Sequence, residues 1–180
     1  AVSITSPLPT EHFSKLLHGT PPRRRELALR FAFEADRVRS VYGDALVRYL
    51  LQTERILAPA QARYCYSPYN KPSFCYPTDR HFNISHGGDW VLCGWGSENL
   101  GVDVEKADDP DRSIERDVFH PLERKFLEES FNGATRRERF YSLWTLKESY
   151  IKFTGQGLST DLQSFYFQIS DQITCFSSWG

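Results

Sequence analysis

The 180-residue chain lacks several features that would assign it to a particular class of protein. No apolar run is long enough to span a bilayer, and no segment near residue 1 has the pattern of a signal peptide, so we expect a cytoplasmic protein without membrane spans. Charge of one sign is not in excess either, because 22 Lys and Arg against 23 Asp and Glu give a net charge of −1. No global attraction to nucleic acid or membrane follows, so an anionic ligand must be held by local basic groups.

Methionine is absent and cysteine is scarce. Methionine is lacking even at position 1, which predicts either that the chain is trimmed at its start or that methionine residues are missing from the sequence. Spacings between residues of a motif are therefore used to within about one residue. The four cysteines, Cys65, Cys75, Cys93 and Cys175, show no CxxC spacing of the kind that zinc and redox centres use. In a chain of this size we expect buried thiols in a reducing cytoplasm.

The composition that is present is ordinary for a globular protein, with 40% hydrophobic and 25% charged residues. The hydrophobic pattern predicts helices over 11–18, 23–52, 119–131 and 136–153, and strands over 63–69, 82–85, 90–95, 99–106 and 158–169. A helix followed by strands thus occurs once before residue 98 and once after it. We therefore predict an α+β fold of two similar halves, 1–98 and 99–180, although no internal sequence repeat is visible.

A short acidic segment, Gly101-Val102-Asp103-Val104-Glu105-Lys106, has the alternation of a strand. That alternation places Asp103 and Glu105 on one face and the two valines on the other. The polar face of a half-exposed strand is one interpretation. Two neighbouring carboxylates repel each other, however, unless a cation or a basic group lies between them, which favours a binding site.

A second segment, Trp144-Thr145-Leu146-Lys147-Glu148-Ser149-Tyr150-Ile151-Lys152, reads as a helix. Glu148 lies one turn before Lys152, and the simplest interpretation is an exposed ion pair worth ~0.3–0.5 kcal/mol. Lys147 projects toward the apolar stripe of the helix, which is unusual for a lysine. Three carboxylates and a lysine are nonetheless suited to binding a divalent cation and transferring a phosphoryl-containing group.

Together the two segments resemble the two-part signature of the 4′-phosphopantetheinyl transferases. The resemblance extends to Tyr69-Asn70-Lys71-Pro72, to Phe82-Asn83-Ile84-Ser85-His86 and to the turn Gly155-Gln156-Gly157-Leu158. It covers roughly Arg23 to Phe167, which favours the pseudo-dimeric, surfactin-synthetase-activating type and implies a monomer with internal pseudo-symmetry. Members of this type continue further than residue 180, so we expect a last strand to be absent or short.

The resemblance implies an activity and a set of site residues. The activity is Mg²⁺-dependent transfer of 4′-phosphopantetheine from coenzyme A to a serine of an apo acyl or peptidyl carrier protein, with release of 3′,5′-ADP. By resemblance, the metal ligands are Asp103, Glu105 and Glu148, the catalytic residues are Glu148 and Lys152, and coenzyme A is bound by Lys71, Ser85, His86, Arg24, Ser40 and Lys152.

Some of these residues keep two interpretations. Glu123 either lies near the metal, as a carboxylate does in relatives, or sits on a solvated helix face, and Lys147 either assists at the phosphates or packs along its stem. Arg39 is a weaker nucleotide candidate, beside Ser40.

Two other functions compete with transfer: a non-catalytic protein that binds coenzyme A or docks carriers, and a metal-dependent phosphodiester or pyrophosphate hydrolase. The first would not need all four of Asp103, Glu105, Glu148 and Lys152, and the second would not need Lys71 with Ser85-His86.

Overall fold

The computed structural model describes residues 1–4, 9–130 and 132–177, which form helices and small antiparallel sheets. The helices are α1 (Thr10–Gly19), α2 (Pro22–Leu29), α3 (Glu34–Thr53), α4 (Glu115–Val118), α5 (Pro121–Glu128) and α6 (Gly133–Thr154). The strands are β1 (Val2–Ser3), β2 (Tyr64–Tyr66), β3 (Pro72–Phe74), β4 (His81–Gly87), β5 (Trp90–Gly96), β6 (Phe165–Ile169) and β7 (Ile173–Ser177). The α+β class is confirmed.

The strands pair in three separate sheets. The largest has the order β1-β5-β4, and the other two are the hairpins β2-β3 and β6-β7. The β4-β5 hairpin packs on α3, whereas β6 packs on α5 and α6. None of the helices in the described part of the chain carries an apolar stretch that could cross a bilayer.

The single long helix predicted over 23–52 is wrong, because the chain turns between α2 and α3. Phe33, just before α3, has an extended backbone with φ −93° and ψ 137°. The turn lets α2 pack back against α3, so that Ala28 and Val41 are both buried. Two helices in contact thereby bury apolar surface that one straight helix would leave in water.

Apolar side chains gather in two clusters, one on each side of residue 98. The first contains Val47, Leu51, Ala62 and Phe82. The second contains Val118, Phe119, Leu127, Phe140 and Leu143. The cavity of the candidate site is lined by residues from both parts of the chain, one part containing each cluster.

The segment 99–106 was predicted as a strand and is instead an extended stretch without a backbone ladder. Its amides bond to side chains of β4: the Val102 N–H donates to Asn83 Oδ1 at 2.9 Å, and the Val104 N–H to Ser85 Oγ at 3.4 Å. Asn83 and Ser85 are two residues apart on one strand, so they point to the same side and match the two-residue spacing of the valines. Side-chain acceptors therefore take the place of a neighbouring strand.

Helix α6 confirms the helix predicted over 136–153 and begins earlier. Asn132 caps its start, its Oδ1 accepting from the Thr135 N–H at 2.8 Å, and Gly133 is its first residue rather than the stop of the preceding helix. Gly155 ends the helix in the left-handed conformation, φ 72°, that glycine adopts without steric cost. The helix thus presents Glu148 and Lys152 in its last two turns.

The prediction of buried thiols is wrong for three of the four cysteines, and the fourth, Cys93, is a half-buried thiol. Cys65 and Cys75 form a disulfide that closes the β2-β3 hairpin, and Cys175 is exposed. The pairing follows from the hairpin, which brings the two Cα atoms to 5.0 Å, inside the range that a disulfide spans. Spacing along the sequence carries no signal for such a cross-strand pair.

Candidate active site

A cavity of about 560 Å³ opens between the two parts of the chain. Its lining comes from the β2-β3 turn, β4, α6 and the turn after α6: Tyr69, Asn70, Lys71, Pro72, Asn83, Ile84, Trp144, Glu148, Ile151, Lys152, Gly155 and Gly157. Segments far apart in sequence, and each singled out by the sequence, therefore share one concave surface. Its volume is within the range of small-molecule sites.

Asp103, Ser85 and Lys152 meet at one side of this cavity. The Lys152 ammonium lies 2.5 Å from Asp103 Oδ1 and donates to Ser85 Oγ at 2.9 Å, while the Ser85 hydroxyl donates to Asp103 Oδ1 at 2.8 Å. The Asp103 side chain is 3% exposed. The simple pair expected between Glu148 and Lys152 is therefore replaced by a partly buried pair that joins α6 to the extended segment.

Glu148 and Glu105 complete a concentration of negative charge. Burial raises the pKa of Glu148, and Asp103 and Glu105 nearby raise it further against the opposing effect of Lys152. Burial also raises the pKa of Glu105, whose Oε1 accepts from Trp144 Nε1 at 3.2 Å. Desolvated carboxylates that repel each other lose free energy unless a cation joins them.

The donor set fits a divalent cation of the hard, oxygen-binding kind. Asp103 Oδ2 is buried and has no hydrogen-bond partner among the described residues, an unusual state for a carboxylate oxygen. Among those residues no three His, Cys, Asp or Glu side chains already form a metal-holding group. The charges of Asp103 and Glu105 nevertheless act on Glu148, and Lys152 binds one oxygen of Asp103.

His86 and the start of α3 border this site. Partial removal from water lowers the pKa of His86, and the charges of Arg39 and Lys152 lower it further. The Arg39 Nε–H donates to the carbonyl of Gly88 at 3.1 Å, which fixes α3 beside the end of β4. Ser40 follows Arg39 on α3 and is half-buried.

Of the six predicted coenzyme A residues, Lys71 and Lys152 are the two found among the described residues that line the cavity. Arg24 is half-buried on α2, where its charge faces the Tyr64 hydroxyl, and neither it nor Ser40 is among the described residues lining the cavity. Lys71 does line the cavity, but its ammonium is bonded to Asn99 Oδ1 and to the carbonyls of Leu100 and Phe153.

Glu123 and Lys147 form a buried ion pair, with side chains 0% and 1% exposed and an N–O distance of 2.9 Å. Glu123 is therefore not on a solvated face. Its oxygens accept from the His120 and Phe167 N–H groups, and Lys147 also donates to the carbonyls of Leu162 and Phe165. Both side chains are fully engaged in joining α5, α6 and β6.

Three contributors to the site were missed by sequence reasoning. Asn83 aligns the extended segment, Asn99 bonds the end of α6, and the Trp144 indole holds Glu105. The alternation of Asn83 and Ser85 within a strand was a usable signal for the first. An apolar residue such as Trp144 gives no signal for a hydrogen bond to Glu105, and a single asparagine such as Asn99 gives no pattern.

A second cavity of about 570 Å³ lies near the end of α6, lined by residues that include Tyr150, Asp161 and Phe165. Asp161 is the one carboxylate among its described lining residues. The first cavity has Glu148, Lys71 and Lys152 in its wall, and Lys152 bonds to Asp103, so we take the first cavity as the candidate active site.

Comparison with known proteins identifies the family. A family model described as the 4′-phosphopantetheinyl transferase superfamily matches residues 99–179. The chain is 35% identical to 4′-phosphopantetheinyl transferase Sfp of Bacillus subtilis over 91% of this chain and 73% of that protein. It is 30% identical to 4′-phosphopantetheinyl transferase gsp of Aneurinibacillus migulanus, over 92% and 68% of the two chains. It is also 32% identical to mouse L-aminoadipate-semialdehyde dehydrogenase-phosphopantetheinyl transferase, over 86% and 54%. The chain belongs to the 4′-phosphopantetheinyl transferase family and is a transferase of the Sfp type.

Proposed function

We propose that this enzyme transfers 4′-phosphopantetheine from coenzyme A to a serine hydroxyl of an apo acyl or peptidyl carrier protein and releases 3′,5′-ADP. The observation that carries the proposal is the contact of Asp103 and Ser85 with Lys152, which lines one cavity together with Glu148. Binding coenzyme A alone would not require a concentration of desolvated carboxylates, which is costly to fold.

Mg²⁺ is the proposed metal, and Asp103, Glu105 and Glu148 are the residues that would hold it. The partnerless Asp103 Oδ2 and the raised pKa values of Glu105 and Glu148 support this choice. Mg²⁺ prefers oxygen ligands and keeps some waters, so two or three carboxylates suffice. When bound, it would neutralise charge on the non-bridging pyrophosphate oxygens.

Glu148 is the proposed general base. The serine oxygen forms a bond to the β-phosphorus of coenzyme A, the bond from that phosphorus to the bridging oxygen breaks, and the serine proton passes to Glu148, directly or through water. The Glu148 carboxylate lines the cavity, so it can accept the proton of a serine hydroxyl that enters there. Lys152 would offset the charge that develops on the departing 3′,5′-ADP.

The nucleotide of coenzyme A is proposed to lie against the first part of the chain. Ser85 and His86 lie beside Lys152, and the stem of Lys71 forms part of the cavity wall. Ser40 and Arg24 are proposed as outer contacts, Ser40 because α3 is fixed against the end of β4 next to His86. Arg24 rests on the resemblance alone.

The organisation of the whole chain is proposed on the same basis. Two halves, 1–98 and 99–180, are supported by the two apolar clusters and by a helix packed on a hairpin in each part. We propose a monomer that does not bind nucleic acid or membrane. A cytoplasmic location remains our proposal from the sequence, although the Cys65–Cys75 disulfide is more typical of oxidising compartments.

The direct test incubates the enzyme with coenzyme A, Mg²⁺ and apo carrier proteins from fatty-acid, polyketide and peptide synthesis. We expect one carrier or more to gain the mass of a phosphopantetheine group, measured by intact-protein mass spectrometry. A carrier with its acceptor serine changed to alanine is the control. Release of free phosphopantetheine with that control carrier would indicate a hydrolase, and coenzyme A binding without either product would indicate a binding protein.

Glu148→Gln tests the assignment of the base. We expect transfer to fall by about 10²–10⁴-fold, the contribution typical of general base catalysis. Coenzyme A affinity, measured by calorimetry without added metal, should change little. Glu138→Gln makes the same change at an exposed position of the same helix and should transfer normally. Normal transfer by Glu148→Gln would remove Glu148 from the mechanism.

A further inference from the structure

The ammonium group of Lys71 is fully occupied by protein acceptors. It donates to Asn99 Oδ1 at 2.7 Å, to the Phe153 carbonyl at 2.9 Å and to the Leu100 carbonyl at 3.2 Å. An ammonium has three N–H donors, so this arrangement uses all of them. Removal from water lowers the pKa of Lys71, as expected for a lysine enclosed at the cavity wall.

One of these bonds ends on the C-terminal end of α6, where a bond from Asn99 joins it. The Phe153 carbonyl is one of the last four of the helix, which have no partner within it. Besides Lys71, it accepts from Asn99 Nδ2 at 2.7 Å. A cation at this end also interacts favourably with the helix dipole. Lys71 and Asn99 therefore cap the helix that carries Glu148 and Lys152.

The other end of Lys71 is fixed in the turn between β2 and β3. Ser67 Oγ accepts from the Lys71 N–H at 3.1 Å, and the Lys71 carbonyl accepts from the Ser67 N–H at 3.0 Å. Asn70, in the left-handed conformation with φ 64°, closes the turn. The Lys71 stem also lies against Gly155, where an added Cβ would come within 2.9 Å of Lys71 Cδ. The side chain is held along its length.

We infer that Lys71 is a positioning residue: it ties the turn at the cavity wall to the end of α6, and so keeps Glu148 and Lys152 at the reacting phosphate. The inference rests on the proposed function and gives its Lys71 a role without a charge contact to coenzyme A. Lys152 lies only one residue before the capped carbonyl of Phe153, and Glu148 lies one turn earlier. Loosening the cap therefore displaces the groups that act on the phosphate rather than those that bind the nucleotide.

The test compares coenzyme A with dephospho-coenzyme A, which lacks the 3′-phosphate. For Lys71→Met we expect kcat to fall by on the order of ten- to a hundredfold with both substrates, as for a misplaced catalytic group, and KM to change little. Amide hydrogen exchange at 152–155 should quicken without any substrate. Lys15→Met, at an exposed position of α1, is the control and should match the unmodified enzyme.

Asn99→Ala gives an independent variant, because it removes two of the bonds at this cap and keeps the Lys71 charge. We expect the same pattern, with a smaller loss. A loss of affinity for coenzyme A that is absent with dephospho-coenzyme A would overturn the inference, because it would show Lys71 bound to the 3′-phosphate. Unchanged exchange at 152–155 in both variants would also overturn it. Failure of the unmodified enzyme to transfer would count against the proposed function, while the exchange measurement would still decide the role of Lys71.

Discussion

Lys147 and Glu148 are neighbours on α6, yet they face opposite environments. The Lys147 ammonium is enclosed by Glu123, two carbonyls and the ring of Phe165, 4.3 Å from its centre. Burial lowers the pKa of Lys147, and the charge of Glu123 opposes that shift. The Glu148 carboxylate instead lines the cavity. One of two adjacent motif residues therefore anchors the helix in the core, and the other faces the cavity.

Lys147→Met tests this division at the scale of one residue. The change leaves Glu123 buried without its counter-charge, so we expect the free energy of unfolding to fall by about 3–5 kcal/mol. Urea unfolding measures it. Lys147→Met with Glu123→Gln should cost less than the sum of the single changes, because the two groups are coupled.

Lys125→Met is the matched control, since Lys125 is exposed and its pair with Glu129 spans 4.0 Å. Its effect should stay within about 0.5 kcal/mol. A Lys147→Met variant as stable as this control would show that the buried pair does not hold α6 in place.

At the scale of elements, the close approach of 101–105 to α6 explains the glycine of the acidic motif. A Cβ at Gly101 would overlap the Ser149 carbonyl oxygen and the Phe153 backbone nitrogen. These are backbone atoms of a helix, so the segment itself would have to move. Asp103 would then lose its place beside Lys152.

Gly101→Ala should therefore reduce transfer by on the order of a hundredfold and lower stability as an overpacked site does, by about 1–3 kcal/mol. Gly133→Ala is the matched control. Nothing lies within 4 Å of a Cβ at Gly133, and alanine is the better residue in a helix, so that variant should keep its activity and gain up to ~1 kcal/mol. Carrier modification rates and urea unfolding measure both. Full activity of Gly101→Ala would show that the segment can shift without harm.

The spacing of apolar residues predicted the helices and strands that are set by local pattern. It failed where contacts between residues far apart in the sequence determine the local structure. The helix around Glu148 is confirmed and has an apolar stripe of helical period, and the strand over 90–95 is confirmed and is a continuous apolar run. The predicted strand over 99–106 has the alternation of a strand, but Asn83 and Ser85 supply its acceptors, so no ladder forms. The bond from Lys71 to the Phe153 carbonyl joins residues 82 positions apart, and no local pattern indicates such a partner.

At the scale of the whole molecule, the active site and the junction between the two parts of the chain are the same structure. Lys71 reaches Phe153, Asn83 bonds Val102, and the Ser85 and Lys152 side chains meet at Asp103. Each part has an apolar cluster, but the polar groups at the junction depend on partners from the other part. Separation would leave buried donors and acceptors unpaired, which costs about 1–3 kcal/mol for each group.

This dependence predicts one cooperative unfolding transition for the whole chain. Tryptophan fluorescence, which reports on Trp95 before residue 98 and Trp144 after it, should change at the same urea concentration as far-UV circular dichroism. Asn83→Ala removes the acceptor of the Val102 N–H and should lower the free energy of unfolding by about 1–3 kcal/mol. The common midpoint should fall with it, without separation of the two curves. Two resolved transitions, or a shift of the fluorescence curve alone, would mean that the parts fold independently. The carboxylates and the nucleotide contacts would then have to be aligned by substrate rather than by the fold.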